Sequence, residues 1–135
     1  MSETTIEQKT IKTVNPATGK PLKAYPLMQP DEVDKAIESC HEAFLKWKTV
    51  PLEKRAESIR AMGKALANNK DALVQIMTRE MGKLQRQGKA EIDLCTAICS
   101  YTADNGPAQL KDEQRELPDG GKGVITYSPI RVVYG

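Results

Sequence analysis

The sequence predicts a domain of the α/β class, because a strand hairpin and four amphipathic helices are followed by a second segment rich in strand-forming residues. The chain has 135 residues, of which 39% are hydrophobic and 28% are charged. This composition is typical of one globular domain. The strand signal in the final stretch "GVITYSPIRVVYG" continues without a following turn or polar tail. Either the last strand completes a sheet built wholly from what precedes it, or part of the domain is missing.

The first predicted element is a β-hairpin. Residues from about Ile11 to Val14 and from Leu22 to Leu27 alternate in polarity, and "NPATGKP" lies between them. Asn, Pro and Gly are the residues that turns favour.

The first two helices both begin at a proline. Pro30 suits the first helical position, and the following Asp31 and Glu32 place negative charge against the helix dipole. Pro51 opens the second helix in the same way, and "ANNK" ends it. Their apolar faces consist of Val33, Ala36, Ile37, Cys40, Phe44 and Trp47 in the first, and of Ala56, Ile59, Met62 and Leu66 in the second.

Two more helices and two strands complete the predicted order. A third helix around Leu73 ends at Gly82, and a fourth runs from about Leu84 to Asp104 and stops at "NGP". The fourth helix has two neighbouring apolar faces, which indicates burial on more than one side. They are formed by Ile92, Cys95 and Cys99, and by Leu94, Ala97, Ile98 and Tyr101. "KDEQRELPDGGKG" is predicted to be a polar connector. Strands then follow over Val124 to Tyr127 and Ile130 to Tyr134, separated by Ser128-Pro129.

Charge and targeting signals exclude several classes of protein. The 20 Lys and Arg exceed the 18 Asp and Glu by a net charge of only +2, and they are interspersed. The sequence therefore gives no support for binding to nucleic acid or to a membrane. The opening "MSETTIEQKT" has no apolar signal region, so a cytoplasmic location is predicted. The three cysteines are expected to be reduced.

The candidate chemical groups each have a simpler explanation. Cys95 and Cys99 are four residues apart on a predicted helix, so both could bind one metal ion together with His41, the only histidine. A packing role explains them better, because cysteines often act as small apolar residues that fill a helix face. Cys40 and His41 are adjacent in sequence, so their side chains point in different directions on a helix and do not form a nucleophile and base. The Gly-Lys pairs in "MGKAL", "MGKLQ" and "GGKG" lack the rest of a phosphate-binding loop. The residues alone predict no self-contained active site.

Four segments in register carry a resemblance to a known family. They are "TVNPATGKPL", "VDKAIESCHEAFLKWKTVPLEKRAESIRAMGKAL", "LVQIMTREMGKLQRQGKAEID" and "GVITYSPIRVVYG". In this order and spacing the chain resembles the N-terminal part of the aldehyde dehydrogenase superfamily from about Thr10 to Gly135. "TREMGK" and "GGKGVITYSPI" are similar to the succinate-semialdehyde dehydrogenase-like branch.

The resemblance implies a reaction whose machinery this chain lacks. Family members oxidise an aldehyde through a cysteine thiohemiacetal, transfer hydride to NAD or NADP, and hydrolyse the thioester. Their Pro-Trp-Asn motif, cofactor-binding glycines, general-base Glu and nucleophilic Cys lie downstream of the matched region. The resemblance therefore implies no catalytic or cofactor-binding residue here. We expect the chain alone to be inactive and to bind neither NAD nor NADP.

The resemblance also implies that the domain is incomplete, and it implies how the chain is organised. Residues 1–9 are expected to be disordered, and residues 10–120 to form the outer helical part of the cofactor-binding domain: the hairpin and four scaffold helices. Residues 121–128 are expected to form an oligomerisation strand, and residues 129–135 a truncated return strand. Some relatives hold a structural monovalent cation at positions matched by the Val14 carbonyl and the Glu80 carboxylate. A surface cap or helix-end role is the alternative for Glu80.

Partners follow from the same resemblance. An aldehyde substrate is implied only for a full-length enzyme, whereas this chain is expected to self-associate or to pair with an aldehyde dehydrogenase subunit. The alternative to an enzyme part is a non-catalytic interaction module that adds its exposed "GVITY" edge to a sheet. Arg131 departs from the family, where comparable relatives usually have glycine.

Overall fold

The structure, a computed structural model, describes residues 9–133. The elements in chain order are β1 (Thr10–Val14), β2 (Pro21–Pro26), α1 (Pro30–Trp47), α2 (Leu52–Asn68), α3 (Lys70–Met81), α4 (Gln85–Gln109), β3 (Glu113–Glu116) and β4 (Lys122–Ile125). The expected disordered segment 1–9 lies outside the described residues except for Lys9. The last two residues of the expected return strand, Tyr134 and Gly135, also lie outside them.

The predicted N-terminal hairpin is confirmed. Strands β1 and β2 pair antiparallel, from Thr10 opposite Pro26 to Val14 opposite Pro21. The turn is closed by Gly19, whose backbone N–H donates to the Asn15 carbonyl at 2.8 Å. Gly19 has a φ of 68°, a conformation that glycine adopts without steric cost.

Helix α1 begins as the sequence predicts, but the described chain leaves its apolar face uncovered. The Gln29 backbone N–H donates to the Glu32 carboxylate at 2.7 Å and completes a capping box in front of Pro30. Within residues 9–133, no side chain of α1 is buried. Ile37 is 56% exposed and Trp47 is 45% exposed.

The core lies where α4 packs against α2 and α3. Its buried apolar residues are Ala56, Val74, Ile92, Cys99 and Ala103. Small residues bring the helices close together. A Cβ built on Gly63 of α2 would lie 2.9 Å from the Cys99 Cβ, and one on Gly88 of α4 would lie 3.4 Å from Val74 Cγ1.

Helix α4 is longer than predicted and has only one buried face. It continues through Pro107 to Gln109, so the predicted stop at "NGP" is wrong. Proline removes one backbone donor but keeps a helical φ, and the Leu110 N–H still donates to the Gly106 carbonyl at 3.1 Å. The second apolar face is uncovered by the described residues, since Ile98 is 55% and Tyr101 62% exposed.

The predicted polar connector contains a strand, so that prediction is wrong. Strand β3 pairs antiparallel with β4, from Glu113 opposite Ile125 to Glu116 opposite Lys122. The Leu117 N–H donates to the Gly121 carbonyl at 2.8 Å, and Gly120 has a φ of 80°. Backbone pairing and a glycine turn hold this hairpin together, because the side chains of "EQRE" have little strand preference.

The terminal strands are not where the sequence predicts them: β4 has the predicted four residues but begins two residues earlier, at Lys122. Strand β4 ends at Ile125, two residues before the predicted end at Tyr127. Residues 130–133 are not in a strand, which corrects the prediction for the described part of that segment. A strand needs a hydrogen-bonded neighbour, and both sheets of the described chain have two strands each, β1 with β2 and β3 with β4.

The chain exposes far more surface than a complete domain of its size. Its accessible area is 11352 Å², whereas a folded monomeric protein of 14.9 kDa exposes about 7,000 Å². Among the helices of residues 9–133, none combines the length and the apolarity that crossing a bilayer requires.

Candidate functional site

The two residues predicted to hold a cation lie at one junction of the fold. Glu80 is in the last turn of α3, and its carboxylate oxygen Oε1 is 3.4 Å from the Thr13 hydroxyl. Thr13 immediately precedes Val14 in β1. The helix ends at Gly82, whose φ of 69° is strained for any residue with a side chain, and a Cβ there would lie only 3.1 Å from Pro16 Cγ.

This junction offers only part of a cation site. Glu80 is half-buried, and Val14 is 47% exposed. Lys23 and Arg79 line the same groove as Glu80 and oppose cation binding electrostatically. Within residues 9–133, no three His, Cys, Asp or Glu side chains are placed to hold a metal ion. The cation site at Val14 and Glu80 therefore stays a prediction.

The cysteines and the histidine are distributed over separate helices. Cys99 is buried in the core against Gly63, and Cys95 is half-buried one turn earlier in α4. Cys40 is exposed on α1, where His41 stacks with Phe44 at a ring-centre distance of 6.3 Å. The packing role that the sequence favours for Cys99 agrees with this burial.

The described strands do not form a dinucleotide-binding fold. Such folds bind the cofactor at the carboxyl ends of parallel strands joined by helices. Here each of the two sheets of residues 9–133 is a separate antiparallel hairpin. NAD or NADP therefore does not fit the part of the chain that is described, and no chemical step can be assigned to its residues.

One apolar cleft on the surface was missed by the sequence reasoning. It has a volume of about 630 Å³ and lies between the C-terminal half of α1 and residues 130–132. Phe44 and Trp47 form one wall, and Ile130 and Val132 form the other. The apolar pattern of α1 was evident in the sequence. Its pairing with a segment more than eighty residues later depends on tertiary structure.

A comparison of the sequence with models of protein families identifies the family to which this fold belongs. The sequence model described as "Aldehyde dehydrogenase family" matches residues 4–135, nearly the whole chain. The chain belongs to the aldehyde dehydrogenase family. The predicted resemblance is therefore confirmed, including its branch, because the similar curated proteins are succinate-semialdehyde dehydrogenases.

Similar curated proteins are about four times longer than the matched region. The chain is 35% identical over 121 residues to succinate semialdehyde dehydrogenase [NAD(P)+] Sad of Escherichia coli, covering 90% of this chain and 26% of that protein. It is 31% identical over 128 residues to succinate-semialdehyde dehydrogenase [NADP(+)] of Deinococcus radiodurans, covering 95% of this chain and 27% of that protein. The chain thus spans about a quarter of these aldehyde dehydrogenases.

Solved structures confirm the fold class. Succinic semialdehyde dehydrogenase from Streptococcus pyogenes, in complex with NADP+, superposes with a TM-score of 0.78 at 29% identity over 84% of this chain and 25% of that one. Gox0499 superposes with a TM-score of 0.85, and its 20% identity supports the fold alone. The chain is therefore an incomplete α/β domain of the aldehyde dehydrogenase type, as predicted.

Proposed function

We propose that this chain is the N-terminal structural part of an NAD(P)-dependent dehydrogenase that oxidises an aldehyde of the succinate-semialdehyde type to the acid. The observation that carries this proposal is the alignment of the chain with one quarter of enzymes named for that reaction. The NADP+ in the Streptococcus pyogenes structure favours NADP as the cofactor of the whole enzyme. The reduced state of the three cysteines, none of them in a disulfide, suits a cytoplasmic enzyme.

In this proposal the chain supplies scaffold and no reacting group. Its buried thiol, Cys99, lies in the helix core, and its exposed thiol, Cys40, lies on α1, where the neighbouring His41 ring stacks with Phe44. Binding of cofactor, activation of a nucleophile and hydride transfer all require the remaining three quarters of the enzyme. The chain alone therefore neither binds NAD(P) nor turns over aldehyde.

The isolated chain is expected to show no succinate-semialdehyde-dependent formation of NADPH or NADH. Co-expression with a separate polypeptide matching the rest of the Escherichia coli relative is expected to yield NAD(P)H, because the two parts together supply scaffold and active site. Absorbance of the reduced cofactor measures both. The second polypeptide expressed alone is the control. Turnover by the isolated chain would refute the proposed division of roles.

An interaction module is the second candidate function. Strand β4 is paired on one side with β3, and within residues 9–133 its other edge has no strand partner. Val124 in this strand is 58% exposed, and Tyr127, two residues after its end, is 50% exposed. An exposed strand edge can be extended by a strand of another chain, so residues 121–128 would serve as an oligomerisation strand. Co-purification with an intact aldehyde dehydrogenase subunit in the absence of activity would favour this candidate.

A structural monovalent cation at the Val14 and Glu80 junction is also proposed. Sodium or potassium chloride is expected to raise the midpoint of thermal unfolding, followed by the circular dichroism of the helices, relative to an equal concentration of choline chloride. The reason is that an ion that binds only the folded form stabilises it. Glu80→Gln should abolish the difference because the amide removes the carboxylate charge. Glu57→Gln on α2, in an exposed pair with Lys54, is the matched control. An equal response of the unmodified chain to all three salts would exclude the site.

A further inference from the structure

The side chain of Arg55 on α2 has a buried donor without an acceptor. Its Nε is shielded from solvent, and no atom within residues 9–133 accepts a hydrogen bond from it. Arg60, further along α2, pairs instead with Asp104 of α4 at 2.7 Å. Buried polar groups in folded proteins are nearly always hydrogen-bonded to protein or to bound water, because an unmade bond leaves the cost of desolvation uncompensated. The Nε of Arg55 therefore indicates an acceptor close by.

The facing part of α4 has a buried acceptor without its usual donor. In an α-helix each carbonyl accepts the N–H of the residue four positions later. For Ala103 that residue is Pro107, which lies inside α4 and has no N–H. Ala103 is only 3% exposed, so its carbonyl is also shielded from solvent. The proline ring prevents this carbonyl from making its helical bond.

A small cavity between α2 and α4 lies beside both groups. Its volume is about 120 Å³, and a water molecule in the liquid takes up about 30 Å³. Arg55 lines the cavity from α2, and Thr102 and Pro107 line it from α4. Thr102 carries the other polar side chain of the lining. Helices α2 and α4 themselves shield Arg55 Nε and Ala103, so both groups need a partner whatever covers the outer faces of these helices.

We propose that this cavity binds a water molecule that accepts a hydrogen bond from Arg55 Nε and donates one to the Ala103 carbonyl. The Thr102 hydroxyl is the acceptor for its second hydrogen. Two to four polar partners are what a buried water requires. The water replaces the helical bond that Pro107 removes and joins α2 to the last turns of α4. This inference goes beyond the proposed function, because it depends on neither the aldehyde nor the cofactor.

A crystal structure of the chain co-expressed with the remaining part of a relative tests the site directly. Electron density for a water is expected at about 2.7–3.2 Å from both Arg55 Nε and the Ala103 oxygen. A cavity without density, or a protein atom that accepts the Nε hydrogen bond in place of water, would overturn the proposal. The result is independent of whether the assembled protein oxidises succinate semialdehyde, which is the measurement that tests the proposed function.

Two substitutions test the same water in solution. Arg55→Met removes the donor, and Pro107→Ala gives the Ala103 carbonyl its helical N–H. In urea denaturation of the co-expressed assembly, Arg55→Met should lower the midpoint. In a Pro107→Ala background the decrease should be less than half as large, because the carbonyl no longer needs the water.

An exposed cation of the same helix provides the matched control. Lys54 pairs with Glu57 at the surface of α2 and does not line the cavity. Lys54→Met should therefore shift the midpoint equally with and without Pro107→Ala. Circular dichroism checks that each variant retains its helices. Equal effects of Arg55→Met in the two backgrounds would contradict the bridge between Arg55 and Ala103.

Discussion

The isolated chain is expected to associate or to melt over a broad temperature range, instead of unfolding as a monomer in one sharp transition. It exposes about 4,000 Å² more surface than a complete domain of its mass, judged from its 11352 Å² of accessible area. The uncovered surface includes the apolar faces of α1 and α4. Exposed apolar faces of this extent favour association, and loose packing removes the cooperativity of unfolding.

Calorimetry combined with light scattering measures this prediction directly. Scattering during size-exclusion chromatography should give a mass above 14.9 kDa, or the monomer fraction should bind an apolar dye such as anilinonaphthalene sulfonate. The same chain co-expressed with the remaining part of a relative is the comparison and should melt more sharply. A monomer that binds no dye and unfolds in a single two-state transition would contradict the expectation.

Gly63→Ala is expected to destabilise the helical core by about 1–3 kcal/mol, the usual cost of overpacking. The added methyl would lie 2.9 Å from the Cys99 Cβ and 3.6 Å from the Thr96 carbonyl oxygen. Cys99 Cβ is attached to the helix backbone and cannot rotate away, so α2 and α4 must move apart. Urea denaturation of the chain co-expressed with the remaining part of a relative, followed by circular dichroism, should show a lower midpoint.

A second glycine in a helix provides the matched control. A Cβ at Gly106 of α4 would meet only Thr102 Cγ2, at 4.0 Å, which is ordinary contact. Alanine has the higher helix propensity, whereas a side chain directly before Pro107 is sterically disfavoured in a helix, so Gly106→Ala should change the free energy of unfolding by less than about 1 kcal/mol. Placing Gly63→Ala in a Cys99→Gly background should recover part of the loss. Equal shifts for Gly63→Ala and Gly106→Ala would indicate that the two helices do not pack as described.

Local signals were sufficient to predict the helices. The helix ends are marked by Pro30 at the start of α1, Pro51 before α2 and Gly82 after α3. These residues act on the backbone of a few neighbours, so the local sequence is enough to predict where the helices begin or end. The capping box at Gln29 was not predicted, although Glu32 three residues later is the signal that could have revealed it. The first hairpin was predicted for the same reason, from its turn residues.

The errors arose where partners outside the local sequence decide the structure. Strand β3 has unfavourable side chains for a strand and forms because β4 pairs with its backbone. Conversely, residues 130–133 have strand-forming side chains and lack a neighbour within the described chain. Pro107 was expected to end α4, yet the turn around it retains its other hydrogen bonds. The helix or strand propensity of single residues does not show which of these effects decides the structure.

The same difference between local and distant causes applies to the functional surfaces. The junction of Val14 and Glu80 was predicted only through family resemblance, and the structure places Glu80 next to Thr13 of that strand. The cleft beside Trp47 joins segments distant in sequence, and neither segment has a motif that indicates the other. The absence of catalytic motifs was evident from residue identity, because the chemistry of aldehyde oxidation requires particular side chains.

The pairing of β3 with β4 has a consequence for the order of folding. The hairpin closes through a turn of a few residues, with Gly121 N–H bonded to the Asp119 carboxylate at 2.9 Å. Its contacts are local, as are those of the first hairpin, so each can form on a microsecond timescale without help from distant segments. During synthesis on the ribosome the N-terminal region emerges first, so both hairpins can be formed in the nascent polypeptide. Burial of the α1 and α4 faces, which residues 9–133 leave uncovered, would then follow the formation of the hairpins.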